Sequence, residues 1–212
     1  MKVSRFFSGL FGLVGICAAL SALWLSAHGM EAAPAIIETP ESALEQVECM
    51  MDSFCAGDYA AAGSYLYGHP DLGADREAAD EVGSLIWAAF QESMTYELAG
   101  ECYATNNGLA QNIQVTTLDI SAVTAYLEAH ARANIEARAL AAEDYDAVFD
   151  ENDEYRTEFI QEVLKETTLQ ALEETDVQIT TEVTLTLVWS EGQWWVVSNE
   201  MLLKAVSGGI VK

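Results

Sequence analysis

The sequence predicts an α+β domain, in which helices and strands occupy separate stretches of the chain. Two stretches of alternating apolar and polar residues are each followed by a tight turn and a second strand-like stretch, which is typical of antiparallel hairpins. Apolar residues at helical spacing occur before, between and after the hairpins, giving the order ααα-ββ-αα-ββ-α. This grouping favours a mainly antiparallel sheet over a parallel α/β sheet.

Length and composition divide the chain into three regions. We predict a signal peptide or membrane anchor in residues 1–30, a short linker in residues 31–39 and a single α+β domain in residues 40–212. Hydrophobic residues make up 51% of the 212 residues. The chain can therefore bury a sizeable core, and disorder throughout is not expected.

The leader, residues 1–30, combines two basic residues with an apolar run. Lys2 and Arg5 precede 22 uncharged residues from 6 to 27. That run is long enough for an N-terminal hydrophobic helix that spans a membrane. In that case residues 6–27 anchor the protein in the membrane. The basic residues before the run place the following domain on the outer side, so we expect an extracytoplasmic protein.

Two alternatives to a retained anchor stay open. The small residues around Ala27-His28-Gly29 are typical of a signal-peptide cleavage site, so the protein can instead be secreted. A lipid anchor at Cys17 is the third alternative, although Ile16 stands where lipidation signals place a small residue. All three alternatives predict the same location for the domain.

The charge is strongly acidic, at −25 over the whole chain. After Met30 the chain carries seven basic against 34 acidic side chains, or −27. Such a surface repels nucleic acid and anionic lipid headgroups, because both need Lys and Arg contacts. The simpler interpretation of this charge is that it keeps the protein soluble. The more specific interpretation is that the surface binds cationic ligands or divalent ions.

The predicted helices begin at Thr39-Pro40-Glu41, a capping residue followed by proline and an acid. The first helix ends at Gly57, and a short second one is stopped by Gly68-His69-Pro70. A third helix is predicted from Ala74 to Glu92. The stretches 121–149 and 152–175 each predict one helix between the hairpins, and Asn199 to Val206 predicts a last helix.

The two predicted hairpins have different turns. Asn106-Asn107-Gly108 joins a strand of residues 94–102 to one of residues 113–117, and Asn-Gly is a strong hairpin signal. Glu191-Gly192 joins the long strand 176–190 to the strand 193–197. Apolar and polar residues alternate along the strands 94–102, 113–117 and 176–190, so each of these has one face toward a core.

Three cysteines remain after the leader. Cys49, Cys55 and Cys102 are an odd number, so they cannot all pair within the chain. Cys49 and Cys55 lie six residues apart on one predicted helix, roughly 9 Å along its axis, which disfavours a bridge between them. Buried thiols that pack as small hydrophobic groups are the first interpretation, and a bridge from Cys102 to one of the others is the alternative.

Two segments carry a resemblance to a known family. The segment VECMMDSFCAGDYAAAGSYL (47–66) resembles the opening helices of extracytoplasmic nuclear-transport-factor-like, or ketosteroid-isomerase-like, domains of small exported bacterial proteins. The segment TEVTLTLVWSEGQWWVVSNEMLLKAVSGG (181–209) is similar to their last two strands and terminal helix. The resemblance covers roughly residues 41–209.

The resemblance implies a curved, mainly antiparallel sheet wrapped around helices as a cone. The mouth of such a cone holds a ligand or forms a dimer. Enzymes of the family carry an Asp or an Asp/His pair inside the cone, and no motif places that pair here. Residues 121–175 depart from the family pattern, since their two helices are longer than the usual core needs.

Aromatic residues are the best candidates for lining a pocket. Trp194 and Trp195 must point to opposite faces of their strand, so one enters the core and the other faces solvent, a covering helix, a ligand or a partner. His130 is expected on the inner face of its helix, as a partly buried structural residue or a general base. The candidate ligand-binding set, for a small apolar or aromatic ligand, is Tyr65, Trp87, Tyr96, His130, Trp189 and Trp195.

Motifs for catalysis, metals and cofactors do not occur in the sequence. There is no glycine-rich phosphate loop, nucleophile elbow or Cys/His pair at zinc spacing. The acidic stretch 143–154 lacks the Gly and Glu positions of a calcium loop. We therefore predict no metal site and no cofactor, and leave the catalytic residues unassigned.

Three functions remain in competition. The leading hypothesis is a ligand- or protein-binding module at the cell surface that is not an enzyme. The first alternative is a cone-pocket enzyme of the isomerase or dehydratase kind, using a carboxylate or His130. The second alternative is a homodimer that uses its sheet face for association. A deep pocket with a paired ionisable group would favour the enzyme, a filled cone the binding module, and an exposed apolar sheet face the dimer.

Overall fold

The computed structural model describes residues 40–72 and 80–208. The leader, the linker and the predicted start of the third helix at Ala74 lie outside these ranges. Within them, no helix is long and apolar enough to cross a membrane. The described chain is an α+β structure, as the order of sequence patterns predicts.

Seven helices are present in the described ranges. Their bounds are α1 Pro40–Cys55, α2 Tyr59–Ser64, α3 Glu81–Ser93, α4 Ile120–Ala141, α5 Tyr145–Val148, α6 Thr157–Glu174 and α7 Glu200–Ser207. Side chains of Asp58, Asp80, Asp119 and Asn199 accept hydrogen bonds from the first backbone N–H groups of α2, α3, α4 and α7. These caps fix where those helices begin, because the first N–H groups have no partner within a helix.

The four strands form one antiparallel sheet in chain order. They are β1 Thr95–Thr105, β2 Gly108–Leu118, β3 Gln178–Ser190 and β4 Gln193–Val197, with the order β1-β2-β3-β4. Both predicted hairpins are confirmed, and β2 pairs with β3 to join them. The chain after α2 adds a short parallel bridge from Leu66 to Val196, which covers part of the β4 edge.

The main core lies between one face of the sheet and α1, α2, α3 and α7. Helix α1 contacts both outer strands, β1 and β4, so it lies across the inner face. Met50, Met51 and Phe54 of α1 are fully buried, as are Ile113 and Leu185 of the sheet. The alternation of the strands and the helical spacing of α1 thus meet in one apolar layer.

A second, smaller core joins α4 and α6 to the rest of the domain. Val123, Leu118 and Ala171 form its centre, and Ile86 and Ala89 of α3 pack against it. Helix α3 therefore has apolar residues on two sides, with Phe90 buried in the main core. We call residues 120–174, which contain α4, α5 and α6, the helical arm.

The helical arm corrects two predicted boundaries. The first predicted helix, 121–149, breaks at Ala142, whose backbone is extended, and resumes only as the single turn α5. The second starts at Thr157 rather than near 152, because the Asp150 side chain accepts the N–H groups of Asn152 and Glu154 and forms a turn. Acidic side chains that bond nearby backbone compete with helix in this way.

Candidate functional site

The structure separates the predicted aromatic site into different places. Tyr65, Trp87, Tyr96 and Trp189 are partly buried and pack at the margin of the main core. Trp195 and His130 lie outside that core. The six side chains therefore do not line one common cavity in the described part of the chain, and their ligand-binding role stays a prediction.

The two adjacent tryptophans do point to opposite faces of β4. Trp194 enters the main core, and its ring meets Trp189 edge-on at 5.4 Å. Trp195 is only 8% exposed on the other face, where its Nε1 donates to the Ser190 carbonyl at 3.0 Å. The ring of His69 covers it edge-on at 4.6 Å. Trp195 is thus packed against its own chain rather than open to a partner.

His130 lies on the exposed surface of α4, which corrects the expected inner position. Its ring stacks on Tyr126 at 4.1 Å, and its Nδ1 lies 2.9 Å from the Tyr126 carbonyl oxygen. Helical side chains point back toward the preceding turn, so the ring lies along the helix surface instead of entering a core. The geometry therefore does not support a general-base role inside a cone.

Two tyrosines flank the outer side of α1. The Tyr96 hydroxyl donates to Asp52 at 2.9 Å, which ties β1 to α1. Burial raises the pKa of Tyr96 well above its ordinary value, and the hydrogen bond and charge of Asp52 raise it further. Tyr65 lies beside Cys49, whose charge as a thiolate is the main cause of a raised Tyr65 pKa. Both phenols therefore stay neutral at physiological pH.

Tyr96→Phe is expected to lower stability by about 1 kcal/mol at neutral pH, because the bond to Asp52 is lost. The Tyr96 pKa is raised in the folded state, so its contribution is present below pH about 10 and declines at higher pH. The difference between parent and variant should therefore shrink between about pH 10 and 11. Urea unfolding across this range measures it. Tyr103→Phe, at an exposed position of the same strand, is the control, and its free energy of unfolding should match that of the parent across this pH range.

The three cysteines described by the structure are free and half-buried. Burial raises the pKa of the Cys55 and Cys102 thiols. A raised pKa lowers the thiolate fraction, and the thiolate is the reactive form. The geometry agrees with thiols that pack as small apolar groups, and it does not show the alternative bridge from Cys102.

Large, fully buried side chains pack between α1 and the sheet. The largest of the fully buried ones come from both layers and from α3: Met50, Met51, Phe54, Phe90, Ile113, Leu185 and Leu187. Two buried polar atoms on the inner face, Gln111 Oε1 and Trp194 Nε1, have no hydrogen-bond partner within the described residues.

The outer face of the sheet is polar along its central strands. Side chains on β2 and β3 form three successive cross-strand hydrogen bonds, between Asn112 and Thr184, Gln114 and Glu182, and Thr116 and Thr180. These pairs occupy alternate positions of both strands, so they share one face. Within the described residues this face is therefore not the broad apolar surface that a sheet-mediated dimer would need.

A groove runs along the helical arm between the antiparallel helices α4 and α6. Its inner half, of about 350 Å³, is lined by Asn134, Ala137, Arg138, Ala141, Val163, Glu166, Thr167 and Gln170. Its outer half, of about 340 Å³, is lined by Arg138, Ala141, Ala142, Ala147, Val148, Glu158, Phe159 and Glu162. The halves share Arg138 and Ala141, and we call the whole the arm groove.

Two polar contacts join α4 to α6 along the arm groove. Asn134 donates to the Thr167 hydroxyl at 3.1 Å, and that hydroxyl donates to the Val163 carbonyl. Arg138 reaches Glu166 at 3.4 Å near the middle of the groove. Small side chains at Ala137 and Ala141 leave room above this floor. The result is a shallow groove whose lining mixes exposed alanine side chains with polar and charged ones.

The outer end of the arm groove adjoins a column of aromatic rings. Tyr145, Phe149, Tyr155 and Phe159 stack in order, with ring centroids 4.7, 5.0 and 5.9 Å apart. Arg156 donates to the carbonyls of Asp146 and Phe149 and so fixes the loop beneath them. Phe159 is therefore held in place as part of the groove wall.

Other kinds of site find no support in the described residues. No group of three or more His, Cys, Asp or Glu side chains there is placed to hold a metal ion. The acidic turn around Asp150 uses its carboxylate on backbone N–H groups, which lower the Asp150 pKa.

Comparison with known proteins gives no relative from which a role could be transferred. No protein-family model, no curated protein and no solved structure matches the chain.

The arm groove is the feature that the sequence analysis did not predict. Its sequence signal was present: Glu158, Glu162 and Glu166 recur at a spacing of four, and Ala137 and Ala141 are small residues at the same spacing. Residues four apart lie on one side of a helix. The register of α4 against α6, which brings these residues together, could not be predicted from the sequence.

Proposed function

We propose that this protein is an exported binding module that holds a partner protein in the arm groove. The observation that carries the proposal is a shallow groove that combines exposed alanine side chains with a charged rim, built on helices that contact the rest of the domain mainly through α3. Grooves between helices are common sites for helical segments of partner proteins.

The interior and the outer sheet face support this choice over the alternatives. A filled inner face favours a binding module over a cone-pocket enzyme, and His130 lies outside the core. The three cross-strand hydrogen bonds on the outer face of β2 and β3 make that face polar, which disfavours a dimer formed through it. A small ligand is the second candidate, because Gln111 and Trp194 each carry an unpartnered buried atom, at separate places on the inner face.

The proposal also includes the fold family and the location. The order of the sheet, with α1 across its inner face and a short final helix α7, supports a nuclear-transport-factor-like cone with the helical arm as an insertion. The apolar leader supports an extracytoplasmic domain, either anchored or secreted. An anchored domain with a linker of nine residues would lie close to the membrane surface.

Site-specific photo-crosslinking in the producing cells tests the proposed site. A photoreactive phenylalanine analogue replaces Ala137, which lines the arm groove, and in a separate variant Ala129, an exposed residue of α4 outside the lining. We expect one discrete crosslinked product from position 137 and none from position 129, since a docked helix would touch only the groove side. Equal crosslinking at both positions would contradict a specific site.

A further inference from the structure

The rim of the arm groove has one dominant charge. Glu158, Glu162 and Glu166 are exposed along the side of α6 that faces the groove. Arg138 is the one cation in the lining, and Glu166 pairs with it. The rim therefore has an excess of two negative charges, which favours a positively charged occupant.

The floor adds a requirement for apolar contact. Ala137 and Ala141 present exposed apolar surface in the inner half, and Ala147 and the partly buried Phe159 do so in the outer half. A lysine or arginine side chain suits the outer end, because its stem packs on apolar surface while its head meets Glu158, Glu162 and the ring of Phe159.

The spacing of the rim matches an α-helix. Glu158 and Glu166 are eight residues apart, which is about 12 Å along α6. A docked helix that runs along the groove would present basic residues at positions i, i+4 and i+8 at the same interval. Its apolar residues would lie on the adjoining face, toward the floor.

From these observations we propose that the partner segment is an amphipathic helix with basic residues at a spacing of four. This inference rests on the proposed function of the arm groove and names the chemistry of its partner. Nucleic acid and anionic lipid are disfavoured as occupants by the same negative rim. A second copy of this acidic chain would bring like charges together, so it is disfavoured as well.

The test is an NMR titration of the protein in its exported form, in nanodiscs if the leader is retained, with three synthetic peptides of about 14 residues. The first is a helix of Lys, Leu and Ala with lysines at i, i+4 and i+8. The second replaces each Lys by Gln, and the third keeps the lysines but scrambles the apolar positions. We expect amide shift changes concentrated at Ala137, Ala141, Val163 and Phe159, from the first peptide alone.

Charge variants complete the test. The double variant Glu158→Gln/Glu162→Gln should weaken binding of the first peptide by about fivefold or more, the effect of losing two partly exposed charge pairs. The matched control Glu151→Gln/Glu173→Gln removes two exposed charges outside the groove and should change Kd by less than about twofold. Thermal unfolding confirms that both variants remain folded.

Three outcomes would overturn the inference. Equal weakening by the control variant would show general attraction to an acidic surface, and equal binding of the neutral peptide would show that the lysines are not recognised. Absence of shift changes in the groove with the lysine peptide would also overturn it. In each case the crosslink at position 137 reports separately on the proposed function, because that experiment assumes nothing about partner charge.

Discussion

Leu185→Ala is expected to lower the free energy of unfolding by about 2–5 kcal/mol, the range measured for large-to-small changes in packed cores. Leu185 is fully buried at the centre of the sheet, in the layer that α1 covers. Truncation removes its apolar contacts and leaves a cavity that the rigid sheet can only partly close. Chemical unfolding of parent and variant measures the difference.

Leu140→Ala is the matched control for this change. Leu140 is 89% exposed near the end of α4, so the same truncation there should alter stability by no more than about 0.5 kcal/mol. A small loss at Leu185 would show that the space between α1 and the sheet is not filled. The preference for a binding module over a cone-pocket enzyme would then lose its main support.

Gly108→Ala should be the most damaging change in the turns, with a loss of roughly 3 kcal/mol. Gly108 has a φ of 145°, a conformation that L side chains rarely adopt. A Cβ atom at this position would also clash with the Leu187 carbonyl oxygen on the neighbouring strand. The backbone would have to move at the point where β2 begins its pairing with β1 and β3. Thermal and urea unfolding give the size of the loss.

The other hairpin offers the control for Gly108. Gly192 also has a positive φ, of 84°, but a Cβ atom there would meet open space. Gly192→Ala should therefore cost about 1 kcal/mol from backbone strain alone. Similar losses at the two glycines would mean that the close approach of β2 to β3 at Leu187 is not as the structure shows.

The sheet could be predicted from the sequence because its signals are local. Asn106-Asn107-Gly108 and Glu191-Gly192 fix two turns, and the alternation on either side fixes which residues face inward. The opposite orientation of Trp194 and Trp195 follows from the same alternation. The ring of His69 covers Trp195. These two residues are distant in sequence, so no local pattern predicts their contact.

The candidate site could not be predicted because it depends on how separate helices meet. His130 has the helical spacing of an inward residue, yet its ring stacks on Tyr126 at the surface. The arm groove needs the register that sets Asn134 opposite Thr167 and Arg138 opposite Glu166. The sequence of either helix alone does not specify that register, which also depends on the break at Ala142 and on the new turn that Asp144 caps.

The central claim is that the partner lies on the helical arm and not at the aromatic margin of the main core. Photo-crosslinking from Ala137 compared with Tyr65 tests this most directly, because the first lines the arm groove and the second belongs to the predicted aromatic site. We predict a discrete product from position 137 and none from position 65. A product from position 65 with none from position 137 would contradict the claim and return the binding site to the margin of the sheet.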